Sequence, residues 1–143
     1  MGPKLSEQVC YALYSTSRVV TQAYKGLLDP LNLTYPQYVV MMALWDKDTV
    51  KISEVADLTG ISNATLSPLL KRLESNGYIH RKLTDKDERQ KSLVLTLEGK
   101  SLAYEAKKAS EAALCATGLS DSEAAQLMSL CASIKNNLTP SEE

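Results

Sequence analysis

The sequence predicts a mainly α-helical chain with one small β-hairpin, and three observations lead to that fold class. Apolar residues recur at helical spacing through long segments at both ends of the chain. Two capping boxes, Thr34 with Gln37 and Ser120 with Glu123, mark helix starts. A pair of strand-like stretches, "YIHRKL" and "SLVLT", flanks the charged run "TDKDERQK" as the arms of a hairpin would. With 143 residues, 44% of them hydrophobic and 23% charged, the chain has the size and balance of one globular domain or one protomer of an oligomer.

The first helix is expected from about Ser6 to Leu28, ending before Asp29-Pro30 because proline restricts the residue ahead of it. The second starts at "TYPQ", where Thr34 caps, Gln37 reaches back and Pro36 is tolerated in the first turn. It carries Tyr38, Val39, Met41, Met42 and Trp45 and ends in "DKD". The segment Thr49 to Ile52 is β-branched enough for a short strand. Ser53 can cap a short helix bearing Val55, Ala56 and Leu58, which Gly60 can end at positive φ. Ser62 can cap the next, with Leu66, Leu69, Leu70 and Leu73 on its apolar face and a stop at Asn76-Gly77. Two helices joined by a tight glycine turn and followed by a hairpin wing make a winged helix-turn-helix, over about residues 35–96.

A fifth helix should start near Thr96 and a sixth at "SDSE", the latter with Leu127, Leu130, Cys131, Ile134 and Leu138 on one face. Cys131 is expected in the core. Long helices at both ends, about 1–34 and 97–143, have little core of their own. A homodimer interface is the expected way to bury their second faces.

Composition narrows the function. The longest apolar or aromatic run, Tyr38 to Trp45, is too short to cross a bilayer, and no basic stretch followed by an apolar one opens the chain. A cytoplasmic protein with no membrane partner is expected. Cys10, Cys115 and Cys131 are far apart, and the single histidine, His80, has no local partner, so no metal site is expected. No glycine-rich loop suggests a cofactor. Between Lys71 and Lys91 seven basic residues face four acidic ones, a surplus of three on a chain of net charge −1. A basic island on an acidic body fits a polyanion-binding surface.

On the second helix of the helix-turn-helix, Asn63, Thr65, Ser67, Lys71 and Arg72 lie between the core leucines and suit contacts to base edges and phosphates. A merely solvated face would have the same composition. Arg89 and Lys91 fall at the hairpin tip, where a long basic side chain could enter a minor groove, with Asp87 placed to brace an arginine. Pro68 lies inside this helix, where it removes a hydrogen bond at a cost of roughly 3 kcal/mol.

The order helix, helix, helix-turn-helix, wing, helix, helix resembles the multiple-antibiotic-resistance regulator (MarR) family of winged-helix repressors. "DERQKSLVLTLEG" resembles that family's wing and its Leu-Thr-x-x-Gly junction. "TLSPLLKRLE" resembles a stretch of the organic-hydroperoxide-resistance subgroup, as does "QVCYALYSTSR…AYKGLLDPLNLTYPQY". The resemblance implies a homodimer on pseudopalindromic double-stranded operator DNA, with Thr65, Ser67 and Arg72 in the major groove and Arg89 at the wing tip. It implies also that Cys10 is the reactive thiol for organic hydroperoxides and that Tyr24 and Tyr35 are its paired tyrosines. Its two-cysteine members make Cys115 the expected resolving residue.

Helical geometry bears on that reading. Cys10 and Tyr24 share a face, but 14 residues separate them by about 21 Å along one helix. Two such helices packed antiparallel across a dimer axis would bring Cys10 of one subunit towards Tyr24 of the other, with Tyr14 and Tyr35 completing the pocket. Phenolic hydroxyls there could hydrogen-bond a thiolate, which cleaves a peroxide O–O bond to give a sulfenic acid. Three alternatives stay open: a repressor released by an aromatic or anionic ligand, a thiol peroxidase, and a winged helix that binds protein.

Overall fold

The computed structural model describes residues 1–47, 49–83 and 91–140. A 3-10 turn, Leu5–Glu7, precedes α1 (Val9–Leu28), so the first helix starts later than Ser6. Gln8 is extended there (φ −99°, ψ 114°) and breaks the helical path. The end at Leu28 falls as expected, for a different reason. Asp29 stays right-handed (φ −53°, ψ −43°), Pro30 sits in a 3-10 turn, and the chain changes direction at Asn32 (φ 55°). Then α2 (Tyr35–Asp46) opens on the expected box: Gln37 N–H donates to Thr34 Oγ1 (3.4 Å) and Thr34 N–H donates to Gln37 Oε1 (2.9 Å).

Strand β1 (Thr49–Lys51) runs directly into α3 (Ile52–Thr59), which places Ser53 inside the first turn instead of at the cap. Gly60 ends α3 at φ 70°, and Ser62 caps α4 (Asn63–Ser75) by accepting from Thr65 N–H at 3.3 Å. The helix runs unbroken through Pro68. Pro68 and Ala64, whose carbonyl loses its partner, are both on the exposed face, where water can replace the missing bond. The opposite face buries Leu66, Leu70 and Leu73, each contributing about 1.5–3 kcal/mol. Leu69 is only half-buried.

Strands β2 (Ile79–Leu83) and β3 (Lys91–Leu95) pair antiparallel, and β1 adds to the free edge of β3, giving the order β1-β3-β2. The register puts Val50 beside Leu93 and Ile79 beside Leu95, so one sheet face continues the leucine core of α4. Thr96 caps α5 (Leu97–Ala116), accepting from Gly99 N–H at 3.0 Å, and Ser120 with Glu123 boxes the start of α6 (Asp121–Leu138). α1 packs on α5 and α2, and the core gathers under α2 with Leu28, Met41, Leu44, Val55 and Ala106. Leu58, expected on the apolar side of α3, is exposed.

The terminal helices are different. Over 20 residues α1 buries only Leu28, and α6 buries none. Val19 is 68% exposed and Leu130 63%. Cys131, expected in the core, is half-buried on a helix that has no core face within its own protomer. Among the described residues no helix is long and apolar enough to cross a membrane.

Candidate nucleic-acid interface and thiol–tyrosine site

The α4 leucines fix which residues face outwards. Asn63, Thr65, Ser67, Lys71 and Arg72 are all exposed, as the interleaved pattern requires. They do not form one uniform surface. Ser62 Oγ donates to Thr65 Oγ1 (3.0 Å), committing that hydroxyl partly to the cap. Lys71 lines a depression towards the wing with Glu74, Ser75 and Arg81, whereas Arg72 lines another with Asp29, Asn32 and Thr34 on the opposite flank. Arg81, which the sequence did not single out, is held by Glu74 with Nε 3.0 Å from Oε2. Lys91 is exposed at the start of β3 opposite Leu83. Arg89 and Asp87 lie outside the described residues.

The second site gathers around α1 and α2. Tyr24 and Tyr35 meet within one protomer at 5.0 Å between ring centroids, and both pack on Tyr38, at 5.4 and 5.9 Å. Trp45 extends the row 6.3 Å beyond Tyr38, and its Nε1–H donates to the Gly99 carbonyl at 2.9 Å. Burial, and then the neighbouring Tyr38 phenol, raise Tyr24 and Tyr35 above the usual tyrosine value. Both phenols therefore keep their protons at neutral pH. Tyr14 stands apart from this cluster. It is exposed beside Arg18, whose guanidinium carbon lies 5.7 Å from its ring centroid, and with Tyr35 it lines an open groove of about 770 Å³.

Cys10 is the second residue of α1 and is exposed. At 1.5 Å per residue it stands about 21 Å along the helix from Tyr24, so one protomer does not join thiol and phenols. Cys115 is exposed one residue from the end of α5. Among the described residues no group of three or more His, Cys, Asp or Glu side chains is arranged to hold a metal.

Residues 22–105 match the family model of the SarA/Rot transcriptional regulators. The organic hydroperoxide resistance transcriptional regulator of Bacillus subtilis is 42% identical over 103 residues, which span 72% of this chain and 70% of that one. The chain belongs to the MarR family of winged-helix transcriptional regulators. Reduced AbfR of Staphylococcus epidermidis bound to DNA superposes on this regulator with a TM-score of 0.79 at 28% identity over 94% of each chain. Its disulfide form gives 0.67 at 27% identity over 91% of each. BpsR of Bordetella bronchiseptica, whose DNA binding is regulated by 6-hydroxynicotinic acid, gives 0.84 at 26% identity over 94% of this chain and 98% of that one. These relatives are DNA-binding regulators and not enzymes.

Two features of this regulator escaped the sequence. Tyr38 and Trp45 read as apolar positions of α2, and only the packing of Tyr24 against that helix makes them part of one aromatic row. Gly99, the glycine of the Leu-Thr-x-x-Gly junction, proves to be the point where α5 meets the turn between α4 and β2. A Cβ there would overlap the Tyr78 carbonyl oxygen.

Proposed function

We propose that this regulator is a homodimeric repressor that leaves its operator when organic hydroperoxides oxidise Cys10. The observation that carries the reading is the Tyr24–Tyr35 pair, two protonated phenols 5.0 Å apart, on a chain 42% identical to an organic hydroperoxide resistance regulator. In this reading about residues 1–34 and 97–143 form the dimer, covering the bare stripes of α1 and α6. Antiparallel α1 helices bring Cys10 of one subunit to Tyr24 and Tyr35 of the other, with Tyr14 at the pocket mouth. About residues 35–96 bind double-stranded DNA. Asn63, Thr65, Ser67 and Arg72 contact the major groove, Lys71 and Lys91 the backbone, and Arg89 the minor groove. The protein acts where the DNA is, in the cytoplasm.

The chemistry balances simply. The Cys10 thiolate attacks the peroxide, an S–O bond forms as the O–O bond breaks, and the departing alkoxide takes a proton to become an alcohol. The two phenols donate to the thiolate and then to the oxygens whose charge develops. The Cys115 thiol of the other subunit condenses with the sulfenic acid, releasing water. Disulfide geometry requires Cα atoms within about 7 Å, so closing this bond moves helices and changes the spacing of the two α4 helices.

A second reading has its own observation. The groove of about 770 Å³ carries Tyr14 and Tyr35 with Arg18 and Lys25, a lining suited to an aromatic anion such as the one that regulates BpsR. Fluorescence anisotropy of DNA from upstream of the protein's own gene, before and after one equivalent of cumene hydroperoxide, separates the two. Release from wild type but not from Cys10→Ser is the expected outcome. Equal binding before and after oxidation would refute it and turn attention to the groove.

A further inference from the structure

Pro68 occupies the outer ridge of α4 and has no N–H to give to the Ala64 carbonyl four residues earlier. Ala64 is exposed on the same ridge, one turn back. Lys71 and Arg72, the cations of this helix, lean to opposite flanks, towards Arg81 and towards Asp29. The ridge between them is therefore uncharged, and at Ala64 it carries no side chain larger than a methyl group. Near the helix start, Ser62 Oγ and Thr65 Oγ1 are bonded to one another, which leaves fewer side-chain groups there to read a base.

From this geometry we propose that the Ala64 backbone carbonyl is itself a base-reading group, an acceptor made available by Pro68. The inference rests on the reading of α4 as the recognition helix. In the major groove the donors that a carbonyl can meet are the exocyclic amines, N6 of adenine and N4 of cytosine. Guanine and thymine offer only acceptors on that edge, so the contact favours adenine or cytosine at one position of each half-site. Proline in the middle of a recognition helix then has a use that offsets its conformational cost. It holds open an acceptor that any other residue would close with its own N–H.

The test starts from operators selected by the wild-type protein out of random duplex DNA. Affinities are then measured for wild type, Pro68→Ala and Pro68→Val against every single-base change. Alanine and valine both return an N–H to the Ala64 carbonyl, and valine keeps an apolar side chain of similar bulk. Both variants should lose a preference for adenine or cytosine at the same position, between about twofold and tenfold, the worth of one hydrogen bond. The salt dependence of binding should not change, because no phosphate contact is removed. In DNA carrying purine for that adenine, or 2-pyrimidinone for that cytosine, wild type should fall to the level of the variants. Loss in alanine but not in valine would assign the preference to apolar bulk at position 68 and overturn the proposal, as would an unchanged base profile in both. A wild type that selects no operator would instead remove the reading of α4 on which the proposal stands. Neither variant deletes a core contact, and thermal melts of each confirm the fold.

Discussion

Gly99→Ala offers the sharpest check on how the wing is set against the helical body. A Cβ built on Gly99 overlaps the Tyr78 carbonyl oxygen, sits 3.0 Å from that carbonyl carbon and comes within 3.3 Å of Leu95 Cδ2. The first two are backbone atoms, so no side-chain rotation relieves them. The Tyr78 carbonyl is also tied, accepting from Thr96 N–H at 3.1 Å, while the Gly99 carbonyl accepts from Trp45. Alanine gains up to about 1 kcal/mol in helix propensity over glycine. Overpacking costs about 1–3 kcal/mol, and a backbone-to-backbone clash belongs at the upper end. A net loss of roughly 2 kcal/mol is expected in urea unfolding, with weaker DNA binding because the base of the wing shifts with α5. A Gly99→Ala protein as stable as wild type would refute the close approach of α5 to the Tyr78 backbone.

Further outcomes follow from the same contacts. Tyr78→Phe removes a hydroxyl that donates to the Leu31 carbonyl at 3.0 Å, and should cost about 1 kcal/mol in the same assay. Tyr24 and Tyr35 are raised above 10.0 by burial, so the folded state keeps protons that the unfolded state gives up. Their contribution is complete below about pH 10 and is lost as pH rises through the folded values. Unfolding free energy measured against pH should fall there, and less steeply in Tyr24→Phe; an identical slope would count against the half-buried pair. Leu130→Glu changes a residue exposed in the protomer, so it should leave monomer folding intact and shift sedimentation from dimer to monomer. A wild type that sediments as a monomer would remove the explanation of the bare terminal helices.

Local chemistry made much of this fold legible. The boxes at Thr34–Gln37 and Ser120–Glu123, the Ser62 cap and the glycine at 60 each act within one turn, and each stands where short-range rules put it. Failures came where a distant partner decides. Ser53 looked like a cap, but β1 is held by β3 and carries the chain straight into α3. Cys131 looked buried because its helix is striped, yet within the protomer that stripe is covered only in part and buries no residue fully. At the site, the outward face of α4 followed from the leucine spacing alone. The meeting of Tyr24 with Tyr35 was suggested by family resemblance and by nothing local, since it depends on how α1 and α2 close over Leu31 and Leu33.

The most direct measurement titrates the DNA-bound protein with cumene hydroperoxide from zero to two equivalents. Release is followed by anisotropy, and Cys10 sulfenic acid and disulfide are counted in the same samples by dimedone trapping and mass spectrometry. The account expects release to follow oxidation of Cys10 in step and to be complete when Cys10 is consumed. DNA still bound when Cys10 is fully oxidised, or released while Cys10 remains reduced, would contradict it.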